Sequence, residues 1–297
     1  MRRMLFIYNP HAGKGYVKNH LALIQNAFAR AGWLIVAHPT QAPGDAKDTA
    51  ALLGGWVDRV VCCGGDGTLH EVVNGLMALP SRPEIGYIPT GTTNDFARNL
   101  QLPRSLEGKA ENAAGGVPRP VDVGRFNDRC FIYVAAFGAF TDVSYDTPQG
   151  FKSVFGHLAY VLEGAARLPS LQAYHLQITW DGGTVEDDFL YGMVSNTISV
   201  GGFQSREQKD VRLDDGLFEV LLVRFPQNPA QVQSVLGYLM QGGKGDADGM
   251  VLSLRTALLE VEGEVPVPWT LDGEYGGDPQ SVSIRVERQA VSIVYGK

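Results

Sequence analysis

The sequence predicts two domains of different texture: an open parallel α/β domain first, then an antiparallel, strand-dominated one. Three observations carry the prediction. Strand-like and helix-like segments alternate over the first ~100 residues, the mark of βαβ units with right-handed crossovers. After about residue 120, period-two alternation with short turns takes over. Glycine stands at 36 of 297 residues, about 12 % against a usual ~7 %, and it gathers just after the predicted parallel strands. A chain of 297 residues is long enough for two domains at ~100–200 residues each.

Residues 4–8 form a short continuous apolar run, as a strand buried on both faces requires. Val17, Leu21, Ile24, Phe28 and Ala31 then recur at spacings of four and three, one face of a helix that Gly32 stops. Residues 34–37 are the second strand, and a helix over 45–53 ends at Gly54-Gly55. Residues 57–63 are the third strand. Thr68-x-x-Glu71 reads as a capping box opening a helix whose apolar side is Leu69, Val72, Val73 and Leu76. A fourth strand over 85–88 and a short helix over 95–100 complete the alternation.

The second half reads as strands over 176–180 (before an Asp181-Gly182-Gly183 turn), 218–225 and 258–261. Residues 282–286 read as a hairpin with 291–295, turning at Arg288-Gln289. Helices are expected at 153–168 and 230–241. With no repeat and no low-complexity linker, the division is expected at a tight junction: 1–122 and 123–297, the last ~15 residues being able to return to the first domain.

Lys plus Arg number 25 and Asp plus Glu 32, a formal net charge of −7. That excludes a broad nucleic-acid-binding face and a polybasic membrane clamp, while leaving room for a local phosphate pocket. Three cysteines, Cys62 and Cys63 adjacent, make neither a disulfide framework nor a C-x-x-C pair, and fit a reducing, cytoplasmic compartment. The five apolar residues after Met1-Arg2-Arg3 are too few for a signal peptide. The apolar run at 130–140 is far short of the ~20 residues of a membrane-spanning helix, so no transmembrane segment is expected.

Four polar, glycine-containing loops follow the parallel strands: Asn9 to Gly15, Thr40 to Gly44, Gly64 to Thr68 and Pro89 to Asp95. In an open α/β sheet, ligands bind outside these strand ends, and glycine lets backbone approach phosphate oxygens. A nucleotide is the leading reading. Thr68 is placed to cap its helix, to offer its hydroxyl to phosphate, or both. Gly13-Lys14 lacks the remaining Walker A residues, and His70 stands where a dinucleotide fingerprint needs its third glycine. Asp66 inside a phosphate loop implies Mg²⁺ or a proton acceptor beside the transferred group. In the second half, Leu271-Asp272-Gly273-Glu274 is either a solvated turn, which composition favours, or the placement of a general base. Asp214-Asp215-Gly216-Leu217 poses the same choice between turn and metal site.

Taken in order, Gly64-Gly65-Asp66-Gly67-Thr68, Pro89-Thr90-Gly91-Thr92-Thr93-Asn94-Asp95-Phe96-Ala97 and Asp272-Gly273-Glu274 resemble the diacylglycerol kinase catalytic domain family. Bacterial soluble lipid kinases and sphingosine kinases belong to it. The likeness runs from Asn9 to about Tyr275. G-G-D-G-T alone is shared with NAD kinases and phosphofructokinases; the T-G-T-x-N-D-F-A and D-G-E segments narrow it to lipid kinases.

The resemblance implies a nucleotide domain of the NAD kinase and diacylglycerol kinase type followed by a β-sandwich-like domain. It implies an ATP site lined by Asn9, Thr40, Gly65, Asp66, Gly67, Thr68, Leu69, His70, Glu71 and Thr92. Asp66 would hold catalytic Mg²⁺, with Asp95 in the same acidic network, and Glu274 would take the proton of a lipid hydroxyl. A second, structural Mg²⁺ would be held by the Asp215 side chain and the Arg212 and Leu217 carbonyls. The acceptor so implied is a lipid at a membrane surface, most simply diacylglycerol, met by a peripheral cytoplasmic enzyme. The open strand edges are compatible with a homodimer. Three departures stand out: Ala12 where the family has serine, Gly138-Ala139-Phe140-Thr141-Asp142 for G-x-G-F-D, and no proline in Gln208-Lys209-Asp210-Val211. The alternatives are a soluble-acceptor kinase such as an NAD kinase, and a nucleotide sensor without turnover.

Overall fold

Six consecutive residues, Arg59–Gly64, are buried in one strand, as expected of a parallel sheet covered on both faces. The structure, a computed structural model, describes residues 1–138, 172–197, 199–200, 203–204, 212–241, 243 and 247–296. The chain divides into two units, Met1–Val123 with Arg288–Lys297, and Gly124–Glu287. The helix expected at 153–168, the Ala139 to Asp142 stretch and the Gln208 to Val211 segment lie outside the described residues.

In the first unit, β1 (Arg2–Tyr8), α1 (Ala12–Gly15), α2 (Leu21–Arg30), β2 (Trp33–Pro39), α3 (Asp45–Leu53), β3 (Arg59–Gly64), α4 (Asp66–Leu76), β4 (Glu84–Pro89) and α5 (Leu106–Gly115) follow in order. The strands pair in parallel in the order β2-β1-β3-β4. Tyr8 lies opposite both Pro39 and Cys63, and Gly64 lies opposite Pro89, so all four strands end at one edge. α2 packs with α5 and α3 with α4. Gly75 of α4 permits the second contact, because a Cβ there would run into the Lys47 carbonyl and the Ala50 methyl. Met4, Phe6, Ile24, Phe28, Val61 and Ile88 are fully buried in the core that α2 and α5 cover, at ~1.5–3 kcal/mol for each large side chain.

One expectation needs correction here, and one helix lies outside those expected. The helix expected at 95–100 is a 3₁₀ turn, Phe96–Asn99, and α5 carries too weak an apolar signal to be anticipated, its buried face being Ala110, Ala113 and Ala114. Its start is nonetheless conventional: the Ser105 side chain accepts the Gly108 N–H.

β5 (Pro118–Phe126) leads into the second unit, which is antiparallel throughout its paired strands. Its elements are β6 (Arg129–Phe131), β7 (Val134–Gly138), β8 (Tyr174–Trp180), β9 (Gly183–Ser195), β10 (Ser199–Val200), β11 (Phe203–Gln204), β12 (Phe218–Arg224), α6 (Pro229–Met240), β13 (Val251–Thr256), β14 (Leu258–Gly263), β15 (Trp269–Leu271) and β16 (Glu274–Gly277). At the expected Asp181-Gly182-Gly183 turn, β8 and β9 form a hairpin with Trp180 opposite Gly183; β9 is a strand outside those expected. β9 then continues between β7 and β12. The two parts of this strand frame one aromatic core, in which Phe137, Phe189, Phe218 and Trp269 are buried.

The hairpin expected at Arg288-Gln289 is not one. Residues Ser281–Val294 form a single strand, β17, whose first part pairs antiparallel with β14 and whose end pairs parallel with β4. The favoured two-residue hairpin turns need positive φ at the first central residue. Here Gln289 has it (φ 50) and Arg288 does not. The Gln289 N–H instead donates to the fully buried Asp122 carboxylate at 2.6 Å, which turns the kink into a bend within one strand.

Candidate active site

The chain passes from β1 outward to β2 and then returns to place β3 on the other side of β1. This reversal puts the topological switch point between the ends of β1 and β3, the place where open α/β sheets take ligands. The ladder runs on past the strands there. Asn9 N–H donates to the Cys63 carbonyl, Thr40 N–H to Tyr8 and Thr90 N–H to Gly64, each at 2.9 Å. Asn9, Thr40, the Gly64–Gly67 loop and the loop after β4 are thereby brought to one edge of the first unit.

Glycine makes the loops fit. A Cβ on Gly91 would lie 2.5 Å from the Gly65 Cα, and one on Gly13 would lie 2.6 Å from the Thr90 carbonyl oxygen. Asn94, at φ 51, fixes the fourth loop with its side chain, accepting from Gly91 N–H at 2.9 Å and donating to Gly91 O at 2.7 Å. Gly13, Gly91 and Asn94 were not among the expected site residues. The signal that could have found Asn94 is the known tolerance of asparagine for left-handed backbone.

Asp66 opens α4. Its Oδ2 accepts the Asp95 N–H at 2.8 Å and its Oδ1 accepts Phe96 N–H at 3.4 Å. Asp95 itself is buried and faces the Arg98 guanidinium at 3.5 Å. The N-terminus of α4, at Gly65, carries no side-chain cap, so the positive end of its dipole is not screened by one. Two hard carboxylates on adjoining loops, next to backbone crowded by glycine, are the donor chemistry of a Mg²⁺–phosphate site. The residues fit the group. Behind the loops, burial pushes the Cys63 thiol up to about 12, so it adds no charge to the site.

The other expected nucleotide residues divide. Thr92 is exposed on its loop and Thr40 is half-buried at the end of β2. Thr68 folds its side chain over Gly64 and stands inside α4, not at its start. The capping-box reading is therefore corrected: the helix begins three residues earlier, because Gly65 takes the extended N-cap conformation. Glu71 caps a different helix, accepting Gly44 N–H at 2.8 Å and Ala46 N–H at 3.1 Å at the start of α3. Leu69 is fully buried, and His70 is buried with the Asn74 amide at 3.3 Å from its Nε2. Beside them, Asp45 accepts Gln41 N–H at 2.7 Å and faces His38 Nε2 at 2.9 Å. The Gln41 N–H, first among its partners, holds the Asp45 carboxyl below its ordinary value.

In the second unit, Asp272-Gly273 is a two-residue turn between β15 and β16, with φ 52 and 86. Asp272 is buried, and its carboxylate accepts the N–H groups of Ile132 (2.8 Å), Tyr133 (2.9 Å) and Val134 (3.1 Å). Glu274 is exposed at the start of β16. At the Asp215 turn, Oδ1 accepts Leu217 N–H at 3.1 Å and Oδ2 accepts from Arg255 Nη2 at 2.6 Å. Arg212 pairs with Asp214 at 3.3 Å. No helix among the described residues is long and apolar enough to cross a membrane.

Comparison with known proteins identifies the family. The diacylglycerol kinase catalytic domain profile matches residues 3–126. A Bacillus subtilis (strain 168) protein named diacylglycerol kinase is 38 % identical over 280 residues, covering 93 % of this chain and 91 % of its own. One of that name from Staphylococcus aureus (strain JH9) is 34 % identical over 288 residues, covering 97 % and 90 %. A diacylglycerol kinase crystal structure from Bacillus anthracis str. Sterne superposes with TM-score 0.75 at 25 % identity, covering 99 % and 97 %. A second structure from that organism gives 0.81 at 27 %, covering 99 % and 98 %. With relatives this similar along nearly its whole length, the chain belongs to the diacylglycerol kinase catalytic domain family.

Proposed function

We propose that this chain is an ATP- and Mg²⁺-dependent lipid kinase that phosphorylates the hydroxyl of diacylglycerol at the cytoplasmic surface of a membrane. The observation that carries the reading is the Asp66 carboxylate, held by the Asp95 and Phe96 N–H groups among glycine-crowded loops at the switch point of a parallel sheet. The acceptor is read from the Bacillus subtilis and Staphylococcus aureus relatives, both named diacylglycerol kinase.

Phosphoryl transfer asks little covalent work of a protein; positioning and charge neutralisation dominate. Bound MgATP supplies the transferable phosphoryl group. Asn9, Thr40, Thr92 and the backbone from Gly65 to Glu71 line the nucleotide site, with Glu71 acting through the start of α3. Asp66 and Asp95 would hold the metal, as hard oxygen donors do. Glu274 would take the acceptor hydroxyl proton as that oxygen bonds to the γ-phosphorus and the bond to the β–γ bridging oxygen breaks, so that ADP leaves as the phosphorylated lipid forms. The first unit serves the nucleotide and the second the acceptor.

Labelled ATP supplied with diacylglycerol, sphingosine, a phospholipid and an isoprenoid alcohol in mixed micelles, and separately with NAD, tests the reading. Label is expected in phosphatidic acid; transfer to NAD alone would overturn it in favour of a soluble-acceptor kinase. Glu274→Gln should lower kcat by ~10²–10⁴-fold, the usual worth of a general base. Asp66→Asn should abolish Mg²⁺-dependent turnover, whereas a raised KM for ATP alone would reduce Asp66 to a binding residue.

A further inference from the structure

The register of β12 and β13 sets Glu219 directly opposite Arg255. Glu219 is 4 % exposed, and its Oε1 accepts from Arg255 Nε at 3.1 Å. The other end of the same guanidinium reaches the Asp215 Oδ2 at 2.6 Å. Arg255 thus clamps the turn before β12 to the strand beside it, and its position is fixed by strand pairing. Arginine stays charged at every accessible pH.

From this arrangement we propose that Arg255 supplies, from within the chain, the positive charge that a structural Mg²⁺ would bring to the Asp215 turn, and that this turn takes no divalent cation. A Mg²⁺ on the Asp215 carboxylate would have to share that group with a guanidinium already bonded to it, and two like charges on one small anion oppose each other. Oδ1 accepts Leu217 N–H, and Oδ2 accepts from Arg255, a charged donor, whereas the Asp66 oxygens accept the backbone N–H groups of Asp95 and Phe96. The nearest other carboxylate on the turn, Asp214, is paired with Arg212 at 3.3 Å. The one anionic donor for the ion that the family resemblance implies there is therefore already neutralised by Arg255. The proposal is independent of which acceptor the enzyme uses, and of the metal at Asp66.

Mn²⁺ is the probe, counted by electron paramagnetic resonance on the full chain without nucleotide, with thermal unfolding in EDTA and in Mg²⁺ as a second readout. In Asp66→Asn, which removes one of the two ligands of the other candidate metal site and leaves Asp95, no Mn²⁺ that depends on Asp215 is expected. Adding Asp215→Asn should change neither the Mn²⁺ count nor the Tm difference between EDTA and Mg²⁺. A stoichiometric ion in that chain which disappears on adding Asp215→Asn would overturn the proposal. Adding Arg255→Met instead should create one Mn²⁺ site and a Mg²⁺-dependent rise in Tm. A folded Arg255→Met chain with neither would also overturn it, because the guanidinium would not then be standing in for a cation. If that variant does not fold, the Asp66→Asn measurement decides alone.

Discussion

Gly65 and Gly91 meet backbone to backbone: the Cα of one occupies the space where the other would carry a side chain. A Cβ on Gly91 would lie 2.5 Å from the Gly65 Cα and 3.0 Å from Asn94 Oδ1, whereas a Cβ on Gly65 would meet the Gly91 Cα at 3.3 Å. The loops after β3 and β4 are therefore in contact because both have glycine at the crossing, and the contact is asymmetric. Neighbouring groups inherit the arrangement, since Asp66 follows Gly65 and bonds the amides of Asp95 and Phe96.

The asymmetry is testable. Gly91→Ala must push the loops apart or dislodge Asn94, and a displacement of about 1 Å in a positioning group can cost ~10²-fold in rate. Lipid-kinase kcat/KM should fall by that order in Gly91→Ala and by much less in Gly65→Ala, with KM for ATP carrying part of the loss. Equal losses in the two variants would show that crowding at this crossing is not what sets the site.

The loop after β2 should respond to acid. Asp45 receives the Gln41 N–H, the His38 ring and the Thr49 hydroxyl, and its carboxyl is held below the ordinary value of 3.8. A carboxyl lowered in the folded state contributes stability that is present above the unfolded value and is lost as pH falls through the folded one. The stability gap between the native chain and Asp45→Asn, measured by urea unfolding, should be steady from pH 7 to about pH 5 and shrink below 3.8. A gap that widens on acidification would refute the assignment.

How far the sequence could be read depended on whether a signal was local. The parallel strands were legible because burial on both faces leaves an unbroken apolar run such as Val60 to Cys63. The loops were legible because glycine has to sit where backbones touch, at Gly65 and Gly91. What was not legible is long-range pairing. Glu71 has the spacing of a capping box with Thr68, and only the fold reveals that its carboxylate reaches Gly44 and Ala46. Arg288-Gln289 looks like a turn until Asp122, 167 residues away, takes the Gln289 N–H. Arg255 carried no sequence signal at all; its partners Asp215 and Glu219 are 40 and 36 residues distant.

The two carboxylates of the Asp272-Gly273-Glu274 turn should separate cleanly by experiment. Asp272 is 3 % exposed and takes three backbone N–H groups from the β6–β7 connection, so its removal leaves three buried donors unsatisfied. Each such donor costs ~1–3 kcal/mol, and Asp272→Ala also places alanine at φ 52, which it adopts poorly. A loss of at least ~3 kcal/mol in unfolding free energy is expected, enough to lower Tm steeply. Asp272→Asn keeps a side chain that tolerates the backbone and one carbonyl acceptor, so it should lose roughly half as much. Glu274 is exposed and its substitution by glutamine should leave the unfolding curve unchanged while kcat falls. If Glu274→Gln destabilised the chain as Asp272→Ala does, the loss of activity in that variant would report structure and not proton transfer.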